Sequence, residues 1–507
     1  MALSYADGKR RVRVLHEKSR AGCITCKQRR VKCDEAQPIC QRCSKGSREC
    51  SYATPSGNPT FRGFRHIMFV QKQLRSPIVV SDETNRSVEY FCLKGLPILR
   101  SCQPSLLWQF LANRLLDAQQ PSIRGIAAAL GAQQRLADQK KTSASQTEII
   151  SQQASSMYTK AIICLQRSIN DGRHGQEPHV PLACLLLVIL ESMRGSSTSL
   201  LVHLESGFRI AGTIQGKSAE TVEVARILRQ YAVDATVFDA LSHSAQSVQA
   251  LVAGCSQPDY SSDPLAQTVE LVLHLTRAIM YAPESASFDI TYEPIPSTVL
   301  YALRPQQQAI EKALNEKLAS PEPMGECKMA AYGFAKAQCL MAKIYIDLLW
   351  TGRQVDFDNA IGLFQEVCDI LETSLRLMDS LIDGGTPTNT RAAFSVGVSA
   401  QPALMLLIQQ CRDRHVRQRA MKLLDQCPQY HGVRDTVLVK AICHAIITFE
   451  ENGIERGTDF IPESHRVHHY RLIGSGDEPG GFQAVKLFCS NPGGEGLIAY
   501  DVPLDMS

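Results

Sequence analysis

The sequence predicts a small metal-stabilised domain of six cysteines joined by a linker to a large all-α helical domain. Three observations carry this expectation. Six cysteines recur at a duplicated spacing between Cys23 and Cys50, a Pro/Gly-broken stretch follows them, and apolar residues then repeat with helical period through most of the chain. A chain of 507 residues is long for one domain, so two or three units are expected.

The cysteines read Cys23-x2-Cys26-x6-Cys33-x6-Cys40-x2-Cys43-x6-Cys50, two copies of C-x2-C-x6-C offset by 17 residues. Two tetrahedral zinc ions need eight thiolate positions, and six cysteines supply them only if two of them bridge both metals. Cys23 and Cys40 are the natural bridges, since each opens one copy. A single four-cysteine zinc site with two spare thiols, or a disulfide framework, is the alternative. A lone four-cysteine site gives the duplicated spacing no reason to exist. The opening MALSYADGKR has no apolar core of a secretory signal, so an oxidising compartment is not expected.

Between Cys26 and Cys33 lie Lys27, Arg29, Arg30 and Lys32, four cations in six positions. The second copy holds only Lys45 and Arg48 there, opposed by Glu49. One lobe is much more basic than its twin, as expected if it alone enters a DNA groove. On these residues the segment resembles the fungal zinc binuclear cluster (Zn2Cys6) DNA-binding domain, and Asp34 and Pro38 also fit that family's pattern. The family usually has Arg directly after the second cysteine, where this chain has Lys27. The resemblance implies two Zn2+ ions on Cys23, Cys26, Cys33, Cys40, Cys43 and Cys50. It further implies base reading in the major groove by Arg29 and Arg30, with Lys32 as a further contact, and a preference for CGG triplets. Lys27, Arg42, Lys45 and Arg48 would mostly hold phosphates.

Charge follows the same division. Residues 1–54 hold 13 Lys/Arg against 5 Asp/Glu, a formal +8 in a chain of formal net charge +4. Six thiolates and two divalent ions lower the segment to about +6. A compact basic module on a near-neutral body is the electrostatic footprint of a nucleic-acid binder. Lys9, Arg10, Arg11 and Arg13 form a basic run in the arm 1–20, suited to nuclear import or further phosphate contact. The longest strongly apolar run, Leu182 to Leu190, is about half of what a bilayer needs and is expected to be a buried helix. Cys92, Cys164, Cys184, Cys339 and Cys368 sit in apolar surroundings and are expected in the core.

The cluster domain spans 21–54 and the linker 55–87. Pro55, Gly57 and Pro59 open the linker, and Phe61, Phe64, Met68 and Leu74 are too irregular for a dimerising coiled coil. From about 88 to 455 the pattern is helical, and an all-α domain is expected over 88–470. Leu107, Phe110, Leu111 and Leu115 form one stripe, Ile123, Ile126, Ala127 and Leu130 the next, opened by Pro121. Ile361, Phe364, Cys368, Leu371 and Leu375 form another. Turn clusters at Asp171–Gly175 and Asp383–Gly385 separate helices. Trp108–Leu111 through Ile126–Gly131, then Ala183–Leu186 with Glu191, Arg194, Gly195, His203, Leu204 and Gly207, resemble a fungal transcription-factor regulatory domain, as do Gly432–Asp435 and Phe460–Glu463. This implies a regulatory or effector-response role for the body.

The tail 471–507 carries two apolar runs, Gln483–Cys489 and Gly496–Val502, around Asn491-Pro492-Gly493-Gly494, and predicts a β-hairpin. An acidic-hydrophobic activation tail, with Asp501 and Asp505 among Leu497, Tyr500, Val502 and Leu504, is the alternative. Three features elsewhere mimic chemistry. Ala211–Ser218 fits a relaxed phosphate loop, but a helical stripe precedes it where a strand is required, so a Gly-rich helix end is expected. His465, His468 and His469 read as a solvated segment, and Arg412, Arg414, Arg417 and Arg419 as an exposed helix face. Neither a nucleophile elbow nor a dinucleotide fingerprint occurs, so no enzyme is expected.

The expectation is a zinc-dependent, sequence-specific regulator of RNA polymerase II genes, acting in the nucleus and suited to a metabolic or biosynthetic gene set. Its expected partners are double-stranded DNA and the transcription machinery or coregulators, with a second copy of the chain as a candidate and no membrane. A zinc-cluster interaction scaffold or corepressor is the competing reading, and a ligand-sensing or enzymatic body a third.

Overall fold

The computed structural model divides into two compact units, residues 1–69 and 70–507. It describes residues 23, 25–26, 29, 31, 33–36, 39–46 and 50 of the first. In the second it describes 82–506, less 103–106, 117–120, 139–143, 171–178, 214–217, 239–262, 281–294, 383–393, 396–397, 432–433, 455–459, 475–481 and 493–495. The basic run at 9–13, the heptad test at 61–74 and the turn clusters at 171–175 and 383–385 lie outside the described residues.

The first unit is built on its cysteines. Cys23, Cys26, Cys33, Cys40 and Cys43 are buried together, and Val31 and Cys50 pack partly buried against them. Its one described helix of a full turn is α1 (Gln41–Ser44).

The described α-helices of the second unit lie between Asp82 and Glu451. The helices run α2 (Asp82–Tyr90), α3 (Leu96–Cys102), α4 (Leu107–Leu116), α5 (Pro121–Asp138), α6 (Ala144–Asn170), α7 (His179–Arg194), α8 (Ser197–Thr213), α9 (Ala219–Phe238) and α10 (Pro264–Met280). After them come α11 (Ser297–Tyr301), α12 (Arg304–Leu318), α13 (Glu326–Leu348), α14 (Ile361–Ile382), α15 (Ala400–Gln410), α16 (Arg414–Leu424) and α17 (Thr436–Glu451). Helix α2 starts six residues inside the stretch read as linker. Its acidic first turn, Asp82 and Glu83, suits the positive helix start.

Apolar periodicity decides the packing. Helix α7 is buried from His179 through Met193, so the nine-residue run at 182–190 is a core helix. It packs against α5, α8 and α9, and α5 lies along α6 and α2. Gly131 allows the closest of these approaches: a Cβ there would stand 1.9 Å from the Ser87 carbonyl oxygen. On α14, Phe364, Cys368, Leu371 and Leu375 are buried while Ile361 is half-buried. Cys92, Cys184, Cys339 and Cys368 are buried and Cys164 is half-buried. No described helix is long and apolar enough to cross a membrane.

Helix α8 continues through Gly212 to Thr213, so the start of the phosphate-loop mimic is helix rather than a strand-to-helix turn. A minor sheet joins β1 (Phe394–Ser395), β2 (Tyr430–His431) and β3 (Arg434–Asp435). Asp435 then caps α17, accepting from the Val437 amide at 2.8 Å.

The C-terminal end departs from expectation. The last α-helix ends at Glu451, close to the expected 455, and β4 (Val467–Gly474) straddles the boundary expected at 470 between helical domain and tail. β4 pairs antiparallel with β5 (Phe482–Ser490), which pairs with β6 (Leu497–Pro503). β5 and β6 form the hairpin around Asn491. The acidic residues of the alternative activation tail lie on β6 (Asp501) and just after it (Asp505). β4 hid because register shifts at both its ends spoil the alternation: Val467 and His468 are consecutive and both buried.

Two readings are corrected here. The histidines are not a solvated segment: His468 is buried, with Nε2 at 2.8 Å from Ser490 Oγ and 3.4 Å from Glu463, and His469 stacks on Phe488. The arginine run is not one exposed face either. Arg412 and Arg417 are buried on the fully buried carboxylate of Glu450, while Arg414 and Arg419 take the partly exposed Glu451 and Glu372. Glu450 also accepts from the Val467 amide at 2.7 Å, and Arg412 donates to the Val467 carbonyl at 3.0 Å. One carboxylate thus ties α17, α16 and the first residue of β4.

Candidate metal centre and nucleic-acid interface

The duplicated spacing becomes a duplicated hydrogen-bond pattern. In each copy the second cysteine's amide donates to the first cysteine's sulfur, Cys26 to Cys23 and Cys43 to Cys40, both at 3.3 Å. In each copy the first cysteine's amide donates to the third cysteine's sulfur, Cys23 to Cys33 at 3.4 Å and Cys40 to Cys50 at 3.3 Å. Backbone donors aimed at sulfur favour the thiolate, the form that ligates metal.

The sulfurs converge across the copies. Cys23 Sγ lies 3.7 Å from those of Cys40 and Cys43, and Cys26 Sγ lies 3.7 Å from that of Cys40 and 4.0 Å from that of Cys43. A tetrahedron with zinc–sulfur bonds of about 2.3 Å has edges of about 3.8 Å, so the three 3.7 Å separations, each involving Cys23 or Cys40, fit sulfurs sharing a metal. Two ligand groups emerge, Cys23 with Cys26, Cys40 and Cys43, and Cys33 with Asp34 and Cys40. Cys40 belongs to both, as a bridging ligand must, whereas Cys23, the other expected bridge, belongs only to the first.

The first two cysteines of each copy differ in acidity. Burial pushes the Cys23 and Cys40 thiols up, but the amides of Cys26 and Cys43 and neighbouring thiols outweigh it and hold both below the ordinary value. Burial and thiol neighbours raise Cys26 to about 12 and raise Cys43 as well. Within each pair the thiol that opens the copy is therefore the readier to become a thiolate.

Between the copies the chain reverses at Glu35, whose φ of 62° lies in the left-handed region, while its amide donates to Cys33 Sγ at 3.4 Å. Asp34 Oδ2 then accepts the Gln41 amide at 3.0 Å, the first amide of α1, and this bond lowers the Asp34 carboxyl below its usual range. The aspartate noted in the sequence thus joins the end of one copy to the helix of the other.

Among the cations, Arg29, Arg42 and Lys45 are exposed. Arg29 sits one turn beyond Thr25, its amide donating to the Thr25 carbonyl at 3.2 Å. Lys27, Arg30, Lys32 and Arg48 lie outside the described residues.

Comparison with known proteins bears on both units. Residues 21–59 match the fungal Zn(2)-Cys(6) binuclear cluster domain and residues 97–293 the fungal specific transcription factor domain. The aspercryptin biosynthesis cluster-specific transcription regulator of Emericella nidulans is 27% identical over 228 residues, 40% of this chain and 36% of that protein. That length exceeds the cluster, so the likeness reaches into the helical body. Sterol uptake control protein 2 of Candida albicans is 56% identical over 47 residues, 9% of this chain and 6% of its own. Its namesake in Saccharomyces cerevisiae is 41% identical over 68 residues, 13% of this chain and 7% of its own. The chain spans about a third of the first relative and a small part of the other two. No solved structure matches it. The matched domains and relatives are transcription regulators rather than enzymes, and the cluster is one that holds two zinc ions.

Proposed function

We propose that this chain, which carries the two domains of the fungal Zn2Cys6 transcription regulators, acts in the nucleus by binding double-stranded DNA sequence-specifically through its zinc cluster. One observation carries the reading: a nearly symmetric sulfur core bears a strongly asymmetric charge, four cations in the first inter-cysteine segment against two in the second. Symmetry serves the metals. Asymmetry serves a ligand that meets one lobe.

Two zinc ions would be held by the six cysteines, with Cys23 and Cys40 shared between them, Cys26 and Cys33 completing one set and Cys43 and Cys50 the other. The ions make folding of the segment and metal binding one event, because five cysteines are too small a core to hold a domain. The rigid cluster presents Arg29 and Arg30 to base edges, with Lys32 beside them. Arginine donates to guanine O6 and N7, which suits CGG triplets. Lys27, Arg42, Lys45 and Arg48 hold phosphates and supply the salt-dependent share of affinity. The helical body relays binding to the transcription machinery or coregulators. The names of the relatives, an aspercryptin biosynthesis regulator and a sterol uptake control protein, support a metabolic or biosynthetic gene set.

Selection from random duplex DNA with the zinc-loaded full chain tests this. CGG triplets are expected, and paired triplets at one spacing would mean that two copies bind together. Arg30→Ala should relax preference at one base and cost about 1–3 kcal/mol, whereas Lys45→Ala should weaken all sequences alike and flatten the salt slope. A chain verified to hold two zinc ions that enriches no sequence would instead support the protein-contact reading.

A further inference from the structure

The chain has two tryptophans, and they are used in opposite ways. Trp108 is wholly buried in the core, whereas Trp350 is 38% exposed. Trp350 lies in the 3-10 turn Leu349–Thr351 that ends α13, and α11 packs against this turn. There Tyr301, itself 36% exposed, meets Trp350 edge-on with ring centroids 6.0 Å apart. Neither ring is needed to fill the interior, which Leu300, Leu348 and Leu349 supply.

The rings are nonetheless held firmly. Trp350 Nε1 donates to the Asp347 carbonyl at 2.9 Å. The Arg304 guanidinium lies 4.2 Å from the Tyr301 ring centroid and donates to Asp347 Oδ1 at 2.6 Å. Lys343 Nζ donates to the other carboxylate oxygen at 2.7 Å. Exposed aromatics fixed before any partner arrives lose little side-chain entropy on binding, and Trp, Tyr and Arg are the residues that dominate interface energetics.

Charge selects the partner. Residues 297–308 and 340–353 hold three cations, Arg304, Lys343 and Arg353, and one carboxylate, Asp347. That carboxylate is already shared by two of the cations, and Arg353 is exposed two residues past the turn. Asp356 follows three residues after Arg353 and Asp358 is taken by Arg466, so counted through 358 the patch presents aromatic surface with a formal excess of +1. A nucleic-acid strand fits it less well, because Arg304 already covers a face of Tyr301 on which a base would stack, and so small an excess is little for a phosphate backbone.

We propose that the Trp350–Tyr301–Arg304 patch is a docking surface for a short acidic peptide segment carrying apolar side chains, presented by a partner protein. The apolar groups cover the rings, and the acidic groups meet Arg353 and the cations around Asp347.

The test uses the full zinc-loaded chain and a dye-labelled 15-residue peptide of glutamates interspersed with leucines, with a control peptide that has lysine for every glutamate. Buried Trp108 is shielded from iodide, so iodide-quenchable tryptophan fluorescence comes from Trp350. The acidic peptide should suppress that quenching and the lysine peptide should not. By fluorescence anisotropy, Trp350→Ala should weaken the acidic peptide about tenfold or more. Arg353→Glu, at an exposed site, should also weaken it while leaving the thermal midpoint unchanged. Equal binding of both peptides, or unchanged affinity in both variants, overturns the proposal. So does protection of Trp350 by a single-stranded oligonucleotide in place of the peptide. So does a dimer that Trp350→Ala converts to monomer in sedimentation velocity, since a second copy would then occupy the patch.

Discussion

The two units of this chain bury polar chemistry for opposite purposes. Among the described residues of the cluster the buried ones are the cysteines themselves, with Val31 as the one aliphatic neighbour. In the body a continuous apolar core runs from Val88 to Cys489, and its most polar buried point is Glu450 with Arg412 and Arg417. The first unit is stabilised through what its polar atoms bind. The second is stabilised by apolar burial, and its ion pairs decide how the late segments close onto the helices. Metal status and core integrity should therefore be separable.

Zinc removal is the largest test of that contrast. Apparent metal-binding energies for small structural zinc sites are about 10–16 kcal/mol, so a strong chelator should abolish folding of residues 21–54 and all specific DNA binding. Far-UV circular dichroism should change little, because the helices from Asp82 to Glu451 contain none of the six ligands. Loss of the body's thermal transition on chelation would break the comparison.

Glu450→Gln is the converse. Burial alone would raise this carboxyl, but the charges of Arg412 and Arg417 and the Val467 amide outweigh it and keep it below the ordinary range. Removing the charge leaves two arginines buried without a counter-ion, which costs about 3–5 kcal/mol. The body's unfolding midpoint should fall accordingly, while zinc content and DNA affinity below that midpoint stay unchanged. Glu372→Gln, at a partly exposed carboxylate paired with Arg376 and Arg419, should barely move the midpoint. Equal effects from the two would show that burial does not set the cost.

How much could be read from sequence follows the same division. The cluster was legible because thiolate coordination restricts spacing, and a repeat of 17 residues survives without knowledge of anything distant. Helices α7 and α14 were legible because period 3.6 is a local signal. Glu450 was not, since its arginines stand 38 and 33 residues before it and an Arg run looks alike whether solvated or paired. β4 was lost to its bulges, and its histidines read as polar because the strand that pairs with it begins only at Phe482. The start of α2 was available in Asp82 and Glu83, but the preceding breakers drew the boundary later.

Acid sharpens the comparison within the body itself. His469 pairs with Phe488 across β4 and β5, the rings stacked at 4.3 Å. Burial, with the charge of His468, lowers its pKa from 6.5 to about 4. A histidine lowered by folding is protonated more readily in the unfolded chain, so its contribution is complete above about pH 6.5 and is lost as pH falls toward 4. The C-terminal sheet should weaken by roughly 1–3 kcal/mol across that window. Glu463 does not confound it: burial opposes its ionisation, yet His468 and the amides of Gln354 and Val355 hold it at about 2, so its contribution persists until pH drops below the ordinary carboxylate value of 4.5. Hydrogen exchange of the β4 and β5 amides between pH 7.5 and 4.5, corrected for intrinsic rates, reads the loss at the sheet itself. His469→Phe keeps an aromatic ring on Phe488 and removes the titration, so it should flatten the profile. A profile that stays equally steep in that variant would place the acid sensitivity outside β4.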